Sequence, residues 1–375
     1  MPYYFDHNAT TPLSIEAQQA MAPVFSEVFG NASSIHSYGQ QARALLDRAR
    51  RQVAEMLETR AEEIVFTSGG TEADNMALFG AGVTGHAITT SVEHPAILQA
   101  CGQLPSVTVV PVDSCGLVDP DDIRNAIRAN TRLISVMHVN NELGVIEPIE
   151  EIARIAHEHG VLFHSDGVQA PGRTPVNLPD LGPDLYSISA HKIYGPKGVG
   201  ALYVKKGTAL RPMLYGGPHE RKLRAGTENV PGAVGLGRAA QWVMEESAAE
   251  SIRQGQLRDR LEQNILSCVR GAHVNGAGAP RVANTTNIRF DGIDSEPLLI
   301  ALDLKGFAVS SGSACSSGAT EPSHVLAAIG LSREQARSSI RISLGRANTG
   351  AQVDALADAV AQCVSRLRKL APAYV

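Results

Sequence analysis

Aromatic residues are scarce in this sequence, 5% of 375 positions with a single tryptophan, and long hydrophobic runs are missing altogether. No apolar stretch approaches the length of a membrane span, and "MPYYFDHNATTP" has neither the basic head nor the apolar core of an export signal. The chain is therefore expected in the cytoplasm, without a membrane partner. Runs of basic side chains are absent too and the formal net charge is −5, so the electrostatic footprint of a nucleic-acid binder is missing. The five cysteines, Cys101, Cys115, Cys268, Cys315 and Cys363, are odd in number, widely spaced and without a CxxC pair. That excludes a disulfide framework and a zinc knuckle, and each thiol must be read singly. "HEHG" at 157–160 sets its histidines on different sides of a helix and reads as a solvated helix end, so no metal is expected. "GPKGVG" is not GxGxxG and no glycine loop runs into GK[ST], which removes support for a dinucleotide or P-loop nucleotide site.

What is present reads as a globular protein with room for one large core and a smaller lobe. Helical periodicity alternates with short apolar runs, the pattern of βαβ units and a largely parallel sheet. "EIVFTS", "HAITTS", "VTVVPV", "RLISVMHV", "VLFHSD", "DLYSISA" and "GALYVK" are seven strand candidates. A polar helix near 238–270 leads into text of another texture, with "NTTNIRF", "PLLIALDLKGFAVS", "SSIRISLG" and an amphipathic C-terminal helix. The expected division is a large α/β domain over 13–250, its mostly parallel seven-stranded sheet flanked by helices. A smaller α+β domain takes 1–12 and 251–375.

In open α/β sheets reactive groups gather beyond the carboxyl ends of strands. Five strand ends here present polar residues: "GGTEADN", "VEHPA", "NNELG", "DGVQA" and "AHKIYG". Lys192 follows an apolar strand directly, where partial desolvation favours a neutral, nucleophilic amine; the bland alternative is a surface lysine, which suits Lys197 better. Asp166 either caps a following helix or keeps a pyridine nitrogen protonated. Lysine and aspartate at two strand ends are the pair that pyridoxal 5'-phosphate requires. Gly70 and Thr71 open a helix whose free N–H groups suit a phosphate, although Thr71 also reads as an ordinary N-cap, with Asp74 completing a capping box. Ser189, His191 and Thr227 add donors. His94, before a proline-started helix, is a structural histidine or a proton-carrying lid over a flat ring. Arg341, on an otherwise apolar strand, suits a substrate carboxylate, with Asn141 beside it. Cys315 lies in "SSGSACSSGAT", a composition that reads as a mobile, solvent-reachable loop at about 309–320.

In this order the blocks resemble the cysteine desulfurases of the NifS/IscS type, in the class V aminotransferase family of fold-type I pyridoxal phosphate enzymes. The resemblance runs through "DHNATTP", "FGNASSIHSYG", "FTSGGTEADN", "SVEHPA", "MHVNNELG", "HSDGVQA", "SAHKIYGPKGVGALYV", "RAGTENVPG", "SSGSACSSG" and "SSIRISLGR". It implies Lys192 as covalent anchor of the cofactor and base at Cα, Asp166 on the ring nitrogen, His94 on the ring and Gln169 on the ring hydroxyl. Gly70, Thr71, Ser189 and His191 would hold the phosphate, with Thr227 reaching in from the other subunit of a homodimer. Asn141 and Arg341 would take the carboxylate of L-cysteine. Cys315 would take its sulfur as a persulfide for a protein acceptor, serving Fe–S clusters, thio-cofactors, or tRNA or DNA modification. The alternatives are another class V enzyme, a transaminase or lyase, and a non-catalytic platform that binds a sulfur acceptor. Gly70 and Gly167 stand where alanine is frequent in the family's motifs. The chain ends soon after its last helix, whereas IscS-type proteins carry a longer tail that engages their scaffold, which tilts the expectation towards a NifS-like or specialised desulfurase.

Overall fold

The structure is a computed structural model that describes residues 3–312 and 322–370, so Cys315 and most of the loop expected at 309–320 lie outside the described residues. All seven strand candidates form a single sheet. In chain order its strands are β2 (Ile64–Thr67), β3 (His86–Thr90), β4 (Ser106–Val110), β5 (Thr131–Ser135), β6 (Leu162–Asp166), β7 (Leu185–Ser189) and β8 (Gly200–Val204). Across the sheet the order is β2-β8-β7-β6-β5-β3-β4, and only β8 runs against the rest. Most of these strands are apolar along their length because helices cover both faces; Ile64, Ile88, Ile134 and Phe163 pack on one side, Val65, Leu133, Leu185 and Leu202 on the other.

A second, antiparallel sheet consists of β9 (Ala272–Asn275), β10 (Thr285–Phe290) and β12 (Ser339–Ser343), in the order β12-β10-β9. Beside it the N-terminal β1 (Tyr3–Tyr4) pairs in parallel with β11 (Phe307–Ala308). Single bridges join Asp6 to Ser343 and Ser310 to Arg341. One 39-residue helix, Val230–Cys268, runs from the first core, where it buries Leu236 and Trp242, to the second, where it buries Leu261 and Ile265. Residue 250 falls inside it.

Gly70 and Gly167, where the resemblance leads one to expect alanine, each have a neighbour in the space of a methyl group. A Cβ on Gly167 would lie 1.9 Å from Cζ of Tyr186, and a Cβ on Gly70 would lie 2.6 Å from Cγ2 of Val168. Tyr186 is fully buried on β7 and its hydroxyl meets Nδ1 of His138 at 2.8 Å, so the ring cannot swing aside without breaking that bond. Gly167→Ala is expected to cost about 3 kcal/mol through overpacking. Tyr186→Met in the same chain is expected to recover most of it, and denaturant unfolding of the two single variants and the double checks this.

Candidate active site

The carboxyl ends of the parallel strands and the N-terminal segment enclose a cleft of about 200 Å³, lined by Lys192, Asp166, His94, Gln169, Ser189, His191, Gly70, Thr71, Asn141 and Arg341 among others. Thr227 is the one candidate in the described residues that the cleft does not include; it is exposed.

Lys192 ends the short turn Ala190–Lys192 that follows β7, and its Nζ donates to the carbonyls of Asn8 at 2.6 Å and Ala9 at 2.9 Å. Asp166 closes β6 and is buried; no helix follows, and Oδ1 accepts the Val168 N–H at 2.9 Å, so the helix-capping alternative is removed. Burial raises the Asp166 carboxyl above its usual range, with His94, the Val168 N–H and Lys192 pulling it back. His94 is the N-cap of the helix Pro95–Cys101, its Nδ1 accepting the Ala96 N–H at 3.1 Å. That bond leaves the proton of the neutral ring on Nε2, and burial lowers the ring's basicity so that it stays neutral. His191, lowered to about 4 chiefly by burial, meets the Thr10 hydroxyl through Nδ1 at 3.1 Å.

The helix Gly70–Gly80 begins two residues earlier than a Thr71 cap requires. Gly69 is the N-cap, Thr71 lies exposed in the first turn, and Asp74 is buried instead of completing a capping box. Glu72 accepts the N–H of Ser68, the residue before the cap, at 2.8 Å and is held by Arg224 at 2.8 Å. The helix start thereby keeps its own N–H groups and the Thr71 hydroxyl for an anion in the cleft. Arg341 is 1% exposed, and its fork is half engaged: Nη2 pairs with Asp6 at 2.7 Å, Nη1 donates to the Asn141 carbonyl at 3.0 Å, and Nε has no partner among the described residues.

Sequence reasoning missed the residue that joins these parts. The Asn8 carbonyl accepts from both Lys192 and Gln169 (3.0 Å), and its side chain donates to the Asn141 carbonyl at 3.1 Å and to the Thr285 hydroxyl at 2.9 Å. Its only sequence signal was the polar run "HNATT" behind an apolar strand. Asp74, Met137 and Val168 also line the cleft unannounced.

Behind the cleft the sheet buries His164, whose ring sits between the Ser135 hydroxyl at 2.9 Å and the Ser187 hydroxyl at 3.0 Å, and His138. Burial lowers His164 to about 3 and His138 to about 4. An unfolded chain takes up these protons near pH 6.5, so the stability they contribute is complete above that value and is lost as pH falls towards the folded values. The two together predict a loss of about 2.7 kcal/mol per pH unit between about pH 6 and pH 4.5. Glu147, raised by burial to about 8, has the opposite sign: its contribution is complete below the usual carboxylate range and is lost as pH rises towards 8. Thermal unfolding across pH should therefore peak near neutrality, and His138→Gln should make the acid limb shallower by about 1.4 kcal/mol per pH unit.

The cleft fits pyridoxal 5'-phosphate. It offers an amine at a strand end, a buried carboxyl, a helix start with free N–H groups, and two buried polar atoms, Oγ of Ser189 and Oε1 of Gln169, that lack partners among the described residues. Gly70 supplies a close backbone approach where a Cβ would strike Val168.

Comparisons with known proteins agree. "Cysteine desulfurase IscS" of Dictyoglomus turgidum is 45% identical, over 98% of this chain and 96% of its own. Among solved structures, one titled "NIFS-LIKE PROTEIN" superposes with a TM-score of 0.91 at 36% identity, covering 98% of this chain and all of that one. Another, "SspA in complex with cysteine", gives 0.81 at 35% identity, over 91% of this chain and 98% of that one. The family model "Aminotransferase class-V" matches residues 3–356, and with the cleft built as described the chain belongs to that family of pyridoxal phosphate enzymes.

Proposed function

We propose that this chain is a cysteine desulfurase: it removes sulfur from L-cysteine, releases L-alanine and holds the sulfur as a persulfide on Cys315. The observation that carries the reading is the convergence of Lys192, Asp166, His94 and Arg341 on one cleft whose rim holds both described ends of the stretch 313–321. On one side Ser310 bonds the Arg341 backbone, at 3.1 Å and 2.6 Å, and Gly312 lies against the Glu142 carboxylate. On the other, the Ser323 hydroxyl donates to the same carboxylate at 2.6 Å and His324 meets the Glu93 carbonyl at 2.9 Å. Relatives named cysteine desulfurase, and the cysteine held by SspA, support the substrate.

When bound, the cofactor supplies an electron sink that stabilises negative charge at the substrate's Cα. Lys192 would hold it covalently, and the same amine, when free, would take the Cα proton. Asp166 keeps the ring nitrogen protonated, while Gln169, Ser189, His191 and Thr71 hold the ring hydroxyl and phosphate. The unpaired Nε edge of Arg341 and the Asn141 side chain receive the substrate carboxylate. The Cys315 thiolate attacks Sγ: an S–S bond forms, the Cβ–Sγ bond breaks, and its electron pair stays with the three-carbon fragment. Protonation of that fragment yields alanine, so cysteine plus thiol gives alanine plus persulfide without an external oxidant. His94, neutral with its proton on Nε2, moves protons at this end of the cleft.

The working unit in this reading is a homodimer. Phe25, Phe29, Ile35, Tyr38 and Tyr215 stay exposed, Phe29 and Tyr38 stacked at 5.4 Å, and Thr227 reaches the phosphate of the other subunit. A protein acceptor collects the persulfide, in the cytoplasm; no helix of the described residues is long and apolar enough to cross a membrane. Incubation of the purified protein with L-cysteine, with and without reductant, tests the function. Alanine equal to sulfide under reduction, and a persulfide mapped to Cys315 without it, are expected; pyruvate or a keto acid in place of alanine would overturn the reading.

A further inference from the structure

We propose that Arg224 is a positioning residue for the cofactor phosphate: it neutralises and folds back Glu72, a carboxylate in the first turn of the helix Gly70–Gly80 that would otherwise repel the anion this helix start receives. The inference rests on the reading of that helix start as the phosphate site. Three observations support an anion there. The helix opens on the cleft through Gly70 and Thr71, and its N-cap Gly69 has no side chain to occupy the free N–H groups. The buried Ser189 hydroxyl lacks a partner among the described residues, and its Cβ lies 3.7 Å from where a Cβ on Gly70 would stand. An acidic residue in a first turn ordinarily stabilises a helix through its dipole, yet at a phosphate site the same charge competes with the ligand.

Nε of Arg224 donates to Oε1 of Glu72 at 2.8 Å and Nη2 to Oε2 at 3.3 Å, while Oε2 also accepts the Ser68 N–H at 2.8 Å. The carboxylate is thus turned towards the residue before the cap. Burial raises Glu72, and the bonds from Arg224 and Ser68 outweigh burial and hold it below its ordinary value, so the pair is ionised. The placement of Arg224 is over-determined in turn. Glu220, Arg221 and Lys222 take φ of 42°, 55° and 68°, a left-handed run that side chains other than glycine adopt only where their surroundings hold them. The hold is the buried Glu220 carboxylate, which takes Arg50 at 2.6 Å and 2.7 Å and the Phe66 N–H at 2.9 Å and so fastens the turn to β2. Four residues after Glu220, Arg224 meets the helix start. Asp74, two residues further into that helix than Glu72 and on the cleft wall, adds little negative charge, since burial and the neighbouring Asp166 push its carboxyl well above the usual range. His191, lowered to about 4 chiefly by burial, adds no positive charge at neutral pH. The other charges on the walls, Asp166, Lys192 and the Asp6-paired Arg341, stay in place in every variant below.

The test is titration of the cofactor-stripped full chain with pyridoxal 5'-phosphate and, separately, with pyridoxal, followed by the visible band. Arg224→Gln should weaken pyridoxal 5'-phosphate about tenfold and pyridoxal by less than about twofold, and Glu72→Gln added to it should return the phosphate ester's affinity to within about threefold of wild type. Glu72→Gln alone leaves the Arg224 cation unmatched and still offers Ser68 an amide oxygen; it should tighten pyridoxal 5'-phosphate about threefold, and it carries the test should Arg224→Gln not fold. Equal losses for both ligands, or a double variant no better than Arg224→Gln, would overturn the charge role and leave Arg224 a tie between two segments, visible only as a lower melting temperature. The reading beneath fails separately. If Thr71→Val binds pyridoxal 5'-phosphate as tightly as wild type, the helix start is not the phosphate site and this inference falls with it; a weakened Thr71→Val beside an unchanged Arg224→Gln sinks only the role of Arg224.

Discussion

Lys192→Ala is expected to lower alanine release from L-cysteine by about ten-thousand-fold, because in the proposed mechanism one nitrogen performs two separate tasks. Its removal takes away both the covalent anchor and the base at Cα, and losses of about 10²–10⁴ follow from a missing acid–base group alone. The geometry leaves no substitute: among the described residues Lys192 is the only lysine lining the cleft, and Lys197 lies exposed in the Pro-Gly turn beyond it. The Asn8 and Ala9 carbonyls fix where the amine waits, 2.6 Å and 2.9 Å away, and the turn Ala190–Lys192 gives it a rigid base on β7. Borohydride reduction of the holoenzyme should leave a permanent mass increase on the peptide that contains Lys192 and none in the variant. A label on Lys197, or a variant retaining more than a tenth of wild-type turnover, would remove Lys192 from the centre of the reaction.

Much of this site was legible because a parallel sheet turns a one-dimensional pattern into a place. Each buried strand reads as an apolar run, and the polar residue that ends the run is carried to the same edge as its counterparts. Asp166 behind "VLFHS" and Lys192 behind "LYSISAH" therefore meet in space without any sequence proximity. What stayed illegible depends on side chains that meet across long separations. Nothing local in "DHNATT" says that the Asn8 carbonyl would receive an amine from residue 192 and an amide from residue 169. Thr71 and Asp74 match a capping pattern, yet the sheet behind them buries Asp74 beside His164, and the cap falls to Gly69, which has no side chain to bond. Burial overrode local propensity there. Gly167 looked like a lapse from an alanine motif until the ring of Tyr186 was found in the space of the missing methyl. For Arg341 the strand pattern announced burial but not the partner, since Asp6 lies 335 residues away.

Cys315→Ala should lower alanine release at least about 100-fold while leaving the visible band of the holoenzyme and its perturbation by L-cysteine intact, because it removes the sulfur's destination and none of the groups that bind the substrate. Gly312 rests against Glu142, next to Asn141 on the cleft wall, and three further residues span at most about 11 Å. No other cysteine among the described residues offers a replacement. Cys101 is buried on the helix Pro95–Cys101 and its thiol is pushed up to about 12, chiefly by burial, so it is no thiolate at neutral pH. Cys363 is buried in the second core, Cys268 ends the long helix, and neither these nor Cys115 line the cleft. The variant therefore separates the desulfurase from its relatives in the family. A transaminase or lyase has no use for a thiol at position 315, and release of product that survives Cys315→Ala undiminished would assign the chain to one of them, with Lys192, Asp166 and Arg341 keeping the same places in the cleft.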